Sequence, residues 1–473
     1  MSHPDAATLG QLKQTDYQYR PVKDELRQNL IAKLRAGEEL FPGVVGYRDS
    51  VVPQVVNGIL ARHDLLFLGL RGQAKTRILR MLPSLLDEWI PVIGGLEIND
   101  DPLQPMTQTG KKKVAEHGDD TPIEWVHRGD RYQEKLATPD VTIADLIGEV
   151  DLVKHAEGRY LSDEATMHFG LIPRANRGLF AINELPDLAP RIQVGLFNVL
   201  EERDVQIRGF PVRLELDTCL VFSANPEDYT NRGRIVTPLK DRIGTVVRTH
   251  YPANIEEGLQ IVNDNAYLQR DSGVSVTVPP YLAAVVEEVV RLARNSPHVS
   301  QASGVSVRTS IANMETVVSN AERRGITTGE GHVTARPGDL QHLIASSRGK
   351  VEMTLAEDDA SEDKLLQSLI GEAIKNVFGT LVDDPDDYEE IIEQFDGNLS
   401  FPAGDDIPGS EYRQNLKLVD GLEKSARALA QQMNLDPDDD GVVASVGEFL
   451  LEGLYVNNRL SKYGSKGKSF FRR

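Results

Sequence analysis

The chain has 473 residues, of which 40% are hydrophobic and 26% charged, and a formal net charge of −20. That length suits two or three compact units, and the balance is that of a globular protein rather than a disordered, collagenous or membrane-embedded one. The acidic excess argues against nonspecific affinity for nucleic acid or anionic bilayers, and the single cysteine, Cys219, can form neither an internal disulfide nor a cysteine zinc cluster.

In chain order, Val22 to Leu34 has the apolar spacing of a helix and leads into FPGVVGY (41 to 47). DLLFLGL (64 to 70) reads as a buried strand ending in a glycine-rich turn, and KTRILRMLPSLLDEW (75 to 89) as the helix after it. GLFAIN (178 to 183), TCLVFSAN (218 to 225) and TVVRTHY (245 to 251) read as further strands, separated by helical stretches such as Ile192 to Arg203. Strands alternating with helices predict an α/β fold with a mainly parallel sheet, and Cys219 reads as a small apolar residue within one strand. After Tyr251 the pattern becomes helical without strands: IEEGLQIVNDNAYL, YLAAVVEEVVRLAR and VRTSIANMETVVSNAERR. From Val351 onward the chain carries 26 acidic against 12 basic residues, a net of −14, with breaker stretches such as DDPDD (383 to 387). The expected division is an N-terminal helical segment (1–40), an α/β nucleotide-binding domain (41–252), a helical lid (253–350) and an acidic helical extension (351–473). The longest apolar runs, such as Leu65 to Leu70, fall short of the roughly 18–20 residues that span a bilayer. The polar start MSHPDAATLG lacks a signal-peptide core, so a cytoplasmic location is expected.

Chemistry concentrates at five places. Gly69-Leu-Arg-Gly72-Gln-Ala74-Lys75-Thr76 lies between a strand and a helix, where small residues let backbone N–H groups wrap phosphates, a lysine meets the outer phosphates and a Thr hydroxyl can reach Mg²⁺. Ala74 stands where such loops have glycine, so its methyl group either narrows the cradle or strains the backbone. Asn183-Glu184 ends an apolar strand: a glutamate there can polarise an attacking water, and the Asn183 carbonyl can accept from metal-bound water, but without the charge of an aspartate. Ser223-Ala-Asn225-Pro226 ends the next strand and can aim an amide between phosphate and water. Arg242 and Arg308 follow in Lys240-Asp-Arg242-Ile-Gly244 and Gly304-Val-Ser-Val-Arg308. Asp436-Pro-Asp438-Asp-Asp440-Gly441 mimics half of an EF-hand loop, but its twelfth position is Gly447, with Glu448 one residue late.

With these elements in this order, the chain resembles the AAA+ ATPase subunit of magnesium chelatase and the related MoxR-type ATPases, from FPGVVGY to about residue 350. LIPRANRGLFAINELPDL (171 to 188) looks like that family's Walker B region, and ATPDVTIADLIGEVDL (137 to 152) like the approach to its inserted hairpin. The resemblance implies an AAA+ core, an all-helical lid and a ring, a hexamer, with ATP between subunits. It makes Lys75 and Thr76 the Walker A lysine and Mg²⁺ ligand within a loop that includes Gly69, Gly72 and Ala74. Asn183 and Glu184 become Walker B, Asn225 sensor 1, Arg242 the arginine finger and Arg308 sensor 2. Val45 and Gly46 fall where the family contacts adenine. Relatives act with a protein carrying a von Willebrand factor A domain, which implies remodelling of a partner by an ATPase whose turnover Asn183 slows. The alternatives are a magnesium chelatase subunit and a nucleotide-binding scaffold with little turnover. A bacterial enhancer-binding activator shares the core, but the sequence contains no GAFTGA loop.

Overall fold

Four of the five strands of the main sheet are the apolar runs read from the sequence: β1 (Leu65–Leu68), β3 (Gly178–Asn183), β4 (Thr218–Ala224) and β5 (Thr245–Arg248). The fifth, β2 (Tyr132–Leu136), is YQEKL, and its polarity hides it from a hydrophobicity reading; it lies at the sheet edge, where one side needs no strand partner. The computed structural model describes residues 5–150, 167–202, 204–206, 213–226, 233–354, 359–397, 399–404, 406–465 and 468–472.

The strand order is β5-β1-β4-β3-β2, and every pairing is parallel. Strands buried on both faces must be apolar throughout, which explains the unbroken burial of GLFAIN. On one face Leu65, Phe67, Leu179, Ala181, Cys219 and Val221 pack with helices α1 (Val22–Ala36), α2 (Val51–Leu60) and α3 (Lys75–Met81). On the other, Leu66, Phe180, Ile182, Leu220 and Phe222 pack with α4 (Phe197–Glu201) and α5 (Thr237–Arg242). Helix α1 is thus part of this core. Its buried Glu25 accepts from both Arg131 amino nitrogens at 2.8 and 2.6 Å, and Lys23 pairs with Asp64 at 2.8 Å. Cys219 is buried within β4, as expected.

Helix α3 stops at Met81 rather than running to residue 89. Pro83 lacks an N–H and disfavours α geometry in the residue before it, so the chain tightens into a 3₁₀ turn (Leu82–Leu85) and then enters a strand (Trp89–Ile93). The expected hairpin begins where Gly148–Val150 pairs antiparallel with Met167–Phe169; residues 151–166 lie outside the described residues.

The chain divides into two units, Met1–His250 and Tyr251–Arg473. The second is largely helical, with Ile255–Asn265, Pro280–Asn295 and Val307–Thr328 close to the predicted spans. It also holds strands that the sequence did not announce. Ser275–Thr277 pairs parallel with His332–Thr334, and Phe401–Gly404, Ser461–Ser465 and Lys468–Arg472 form an antiparallel sheet. Apolar residues from both sides of position 350, among them Val285, Val317, Phe378 and Phe449, share one core.

Candidate nucleotide site

Because β1, β3 and β4 are parallel neighbours, their carboxyl ends lie side by side, and the order of strands reverses at β1, which sits between β5 and β4. Crevices at such ends are where open α/β sheets bind ligands. The loop Gly69–Ala74, Asn183-Glu184 and Asn225 all leave from this edge.

Within the loop, Gly72 has φ +75° and Ala74 φ +53°. Ala74 therefore sits in left-handed backbone, so of the two effects foreseen for its methyl group, strain is realised. Gly69 is required by packing: a Cβ there would meet Thr249 Oγ1 at 1.9 Å and Gln73 Oε1 at 2.2 Å. Upstream, Gly46 has φ +78° and Val45 is half-buried. The next residue ties that turn to the loop, since the Tyr47 hydroxyl lies 2.9 Å from the Gln73 carbonyl and 2.8 Å from that of His250.

Lys75, buried at the start of α3, donates to the Gly69 carbonyl at 2.5 Å, the Leu70 carbonyl at 2.9 Å and Asn225 Oδ1 at 2.6 Å. Asn225 Nδ2 in turn donates to Glu184 Oε2 at 2.8 Å. One side chain thus links the lysine to the carboxylate. Glu184 is itself in left-handed backbone, φ +56°, and such strain at a strand end recurs at functional sites. Thr76 follows Lys75, half-buried in the first turn of α3.

Asn183 is engaged on both sides of its amide. Its Nδ2 donates to Glu134 Oε1 at 2.5 Å, and its Oδ1 accepts from Ser223 Oγ at 3.0 Å; Ser223 Oγ also accepts the Glu184 N–H at 3.3 Å. Glu134, on β2, accepts from Arg80 of α3 through two bonds of 2.8 and 2.9 Å and from the Tyr132 hydroxyl at 3.2 Å. The Arg80 guanidinium holds the Glu134 carboxyl below the usual carboxylate range. Sequence reasoning missed Glu134, Arg80 and Ser223. Ser223 stood inside the quoted SAN motif; Glu134 carried no signal, because only the strand order brings β2 beside β3.

The two arginines lie on other elements. Arg242 ends α5, on the sheet face opposite α3; it pairs with Glu201 at 2.5 Å and lies over the Phe197 ring at 4.8 Å. Arg308 is exposed in the first turn of Val307–Thr328, in the second unit.

The donor set fits a magnesium nucleotide. It combines a buried lysine, a hydroxyl beside it, a loop with two left-handed residues, and an amide and a carboxylate at neighbouring strand ends.

Residues 107–246 match the family model described as the Sigma-54 interaction domain. The hydrogenase transcriptional regulatory protein HoxA of Cupriavidus necator is 30% identical over 118 residues, which is 24% of this chain and 24% of that protein. Among solved structures, NtrX from Brucella abortus in complex with ADP is 13% identical, with 78% of this chain and 65% of that one covered, at a TM-score of 0.37. A complex between subunits BchI and BchD of magnesium chelatase gives 17% identity, 68% and 98% coverage and a TM-score of 0.35. Among the described residues no helix is long and apolar enough to cross a membrane. The parallel sheet flanked by helices and the loop opening α3 have the AAA+ fold, residues 107–246 of it match the Sigma-54 interaction domain, and a largely helical second unit follows.

Proposed function

We propose that the chain is a ring-forming, cytoplasmic ATPase that hydrolyses ATP slowly and remodels a partner protein, one carrying a von Willebrand factor A domain. The observation that carries the nucleotide reading is the Lys75–Asn225–Glu184 connection, because it joins the groups needed for phosphate, nucleotide sensing and water in one chain of hydrogen bonds.

In this reading the loop from Gly69 to Ala74 wraps the phosphates, Lys75 meets the outer ones, and Val45 and Gly46 lie against the adenine. Thr76 and Asn183 would hold Mg²⁺, which would supply charge to offset that of the phosphates. Glu184 orients and polarises the water; Asn225 moves between Lys75 and the γ-phosphate and so reports which nucleotide is present. Arg242 completes the site from a neighbouring subunit of a hexamer, and Arg308 takes the sensor 2 role that the resemblance implies. Slow turnover follows from the neutral amide at position 183, since charge-assisted hydrogen bonds are roughly twice as strong as neutral ones. The resemblance to the magnesium chelatase branch, rather than any surface of this chain, supports the von Willebrand partner.

The experiment is titration with a fluorescent ATP analogue. Lys75→Ala removes the point charge facing the phosphates and abolishes binding; equal affinity in mutant and wild type sinks the phosphate-loop assignment. The Sigma-54 domain match favours a second reading, a transcription activator. That reading predicts stable binding of purified sigma-54 in the presence of an ATP transition-state analogue even though the chain has no GAFTGA segment, and absence of binding sets the reading aside.

A further inference from the structure

Position 183 lacks a carboxylate, yet one stands beside it. Glu134 Oε1 lies 2.5 Å from Asn183 Nδ2. In register, Glu134 pairs with Ala181 and Leu136 with Asn183, so Glu134 sits one diagonal step back along the same sheet face. That face carries α3, and Arg80, which grips Glu134, lies four residues after Thr76, one turn on along the same side of the helix. Glu134 is therefore held between Asn183 and an arginine that lies one helical turn beyond Thr76.

The contact has two physical consequences. An amide can present either its oxygen or its NH₂; a carboxylate accepts only, so it captures the NH₂. The Asn183 oxygen is thereby left on the side of Ser223, whose own oxygen receives the Glu184 N–H. A negative charge held against the NH₂ also polarises the amide and makes its oxygen a stronger acceptor, as hydrogen bonds in series do.

We propose that Glu134 is a positioning residue for the metal side of the site: it fixes the Asn183 amide with its oxygen toward Ser223 and supplies, two residues back in register, the negative charge that position 183 lacks. This rests on reading Lys75, Thr76, Asn183 and Glu184 as a Mg²⁺–ATP site. It makes the pair exchangeable. Asn183→Asp alone sets two carboxylates against each other and gains nothing, whereas Asn183→Asp with Glu134→Gln moves the charge to position 183 and keeps the hydrogen bond, with the introduced glutamine amide donating.

The test uses the full chain and a fluorescent ATP analogue, with affinity measured in Mg²⁺ and in EDTA. The ratio of the two reports the metal. Glu134→Gln lowers the ratio about tenfold, the size usual for residues that orient metal ligands, and leaves affinity in EDTA unchanged. The double variant Glu134→Gln/Asn183→Asp restores the ratio; a merely structural Glu134 gives no such rescue. An unchanged ratio in Glu134→Gln, or a folded double variant with no recovery, overturns the proposal. If Glu134→Gln alone does not fold by thermal melting, Glu134→Gln/Arg80→Gln, which removes both charges of the ion pair, takes its place in the comparison. The two readings fail separately. Equal affinity of wild type and Lys75→Ala in EDTA sinks the nucleotide site together with this inference, while Lys75-dependent binding with an unchanged ratio in Glu134→Gln sinks this inference alone.

Discussion

Ala74 and Glu184 are non-glycine residues at φ +53° and +56°, in segments that leave the same edge of the sheet. For an L-residue the left-handed region costs about 1–2 kcal/mol, from which the greater unfolded-state freedom of glycine subtracts up to about 1 kcal/mol. Ala74→Gly is therefore expected to stabilise the first unit by up to about 1 kcal/mol, raising its melting temperature by about 2–4 °C, with nucleotide affinity retained. A lower melting temperature would mean that the methyl group packs favourably and strain is not the governing effect. The loop from Gly69 and the helix start at Lys75 were legible because such a turn is local: its pattern is spelled in consecutive residues. The Asn183–Glu134 contact was not, because it joins strands 49 residues apart through an edge pairing that hydrophobic patterning does not encode.

Among elements, the strands of the main sheet were legible where burial on both faces demanded apolar runs, and the polar edge strand β2 was not. In the second unit, the strands at Ser275–Thr277 and His332–Thr334 are only three residues each, too short for alternation to register. The partial EF-hand resolves into a different local structure. Asp439 caps the helix Asp440–Val456 by accepting the Val442 N–H at 2.8 Å, which places Gly447 and Glu448 within that helix. Glu448 is buried, and loss of water pushes its carboxyl up to about 7 against the opposing pull of Arg336; Glu452 and Asp339 push the same way as burial, and Lys462 opposes them. The folded state then holds a proton that the unfolded chain has released, so stability falls as pH rises from about 4.5 to about 7, by about 3 kcal/mol in all, and is flat above that. Glu448→Gln removes this titration. The stability of the variant relative to wild type should climb between pH 5 and 7, measured by urea unfolding followed by far-ultraviolet circular dichroism; parallel pH profiles would refute the assignment.

At the scale of the whole molecule the decisive residue is Arg242, because its position decides whether the proposed site is complete within one chain. It lies on the sheet face opposite helix α3, held by Glu201 and stacked over Phe197, a placement that supports the proposal that it reaches phosphate in a neighbouring subunit. The ion pair with Glu201 is no obstacle: Glu201 is largely exposed, and such pairs contribute only about 0–1 kcal/mol, which a phosphate's charge can outcompete. A finger supplied in trans stabilises charge that develops during phosphoryl transfer, so hydrolysis should depend on protein concentration. Mixing an Arg242→Ala chain with a Glu184→Gln chain separates cis from trans. Each mutant alone lacks one group at every interface, whereas a mixed assembly contains interfaces where Glu184 of one subunit meets Arg242 of the next. Phosphate release above the sum of the separate mutants is the expected outcome. If a mixed assembly verified by differential tagging shows no recovery, Arg242 does not act across the interface, and its pairing with Glu201 is the structural contact it makes within its own chain.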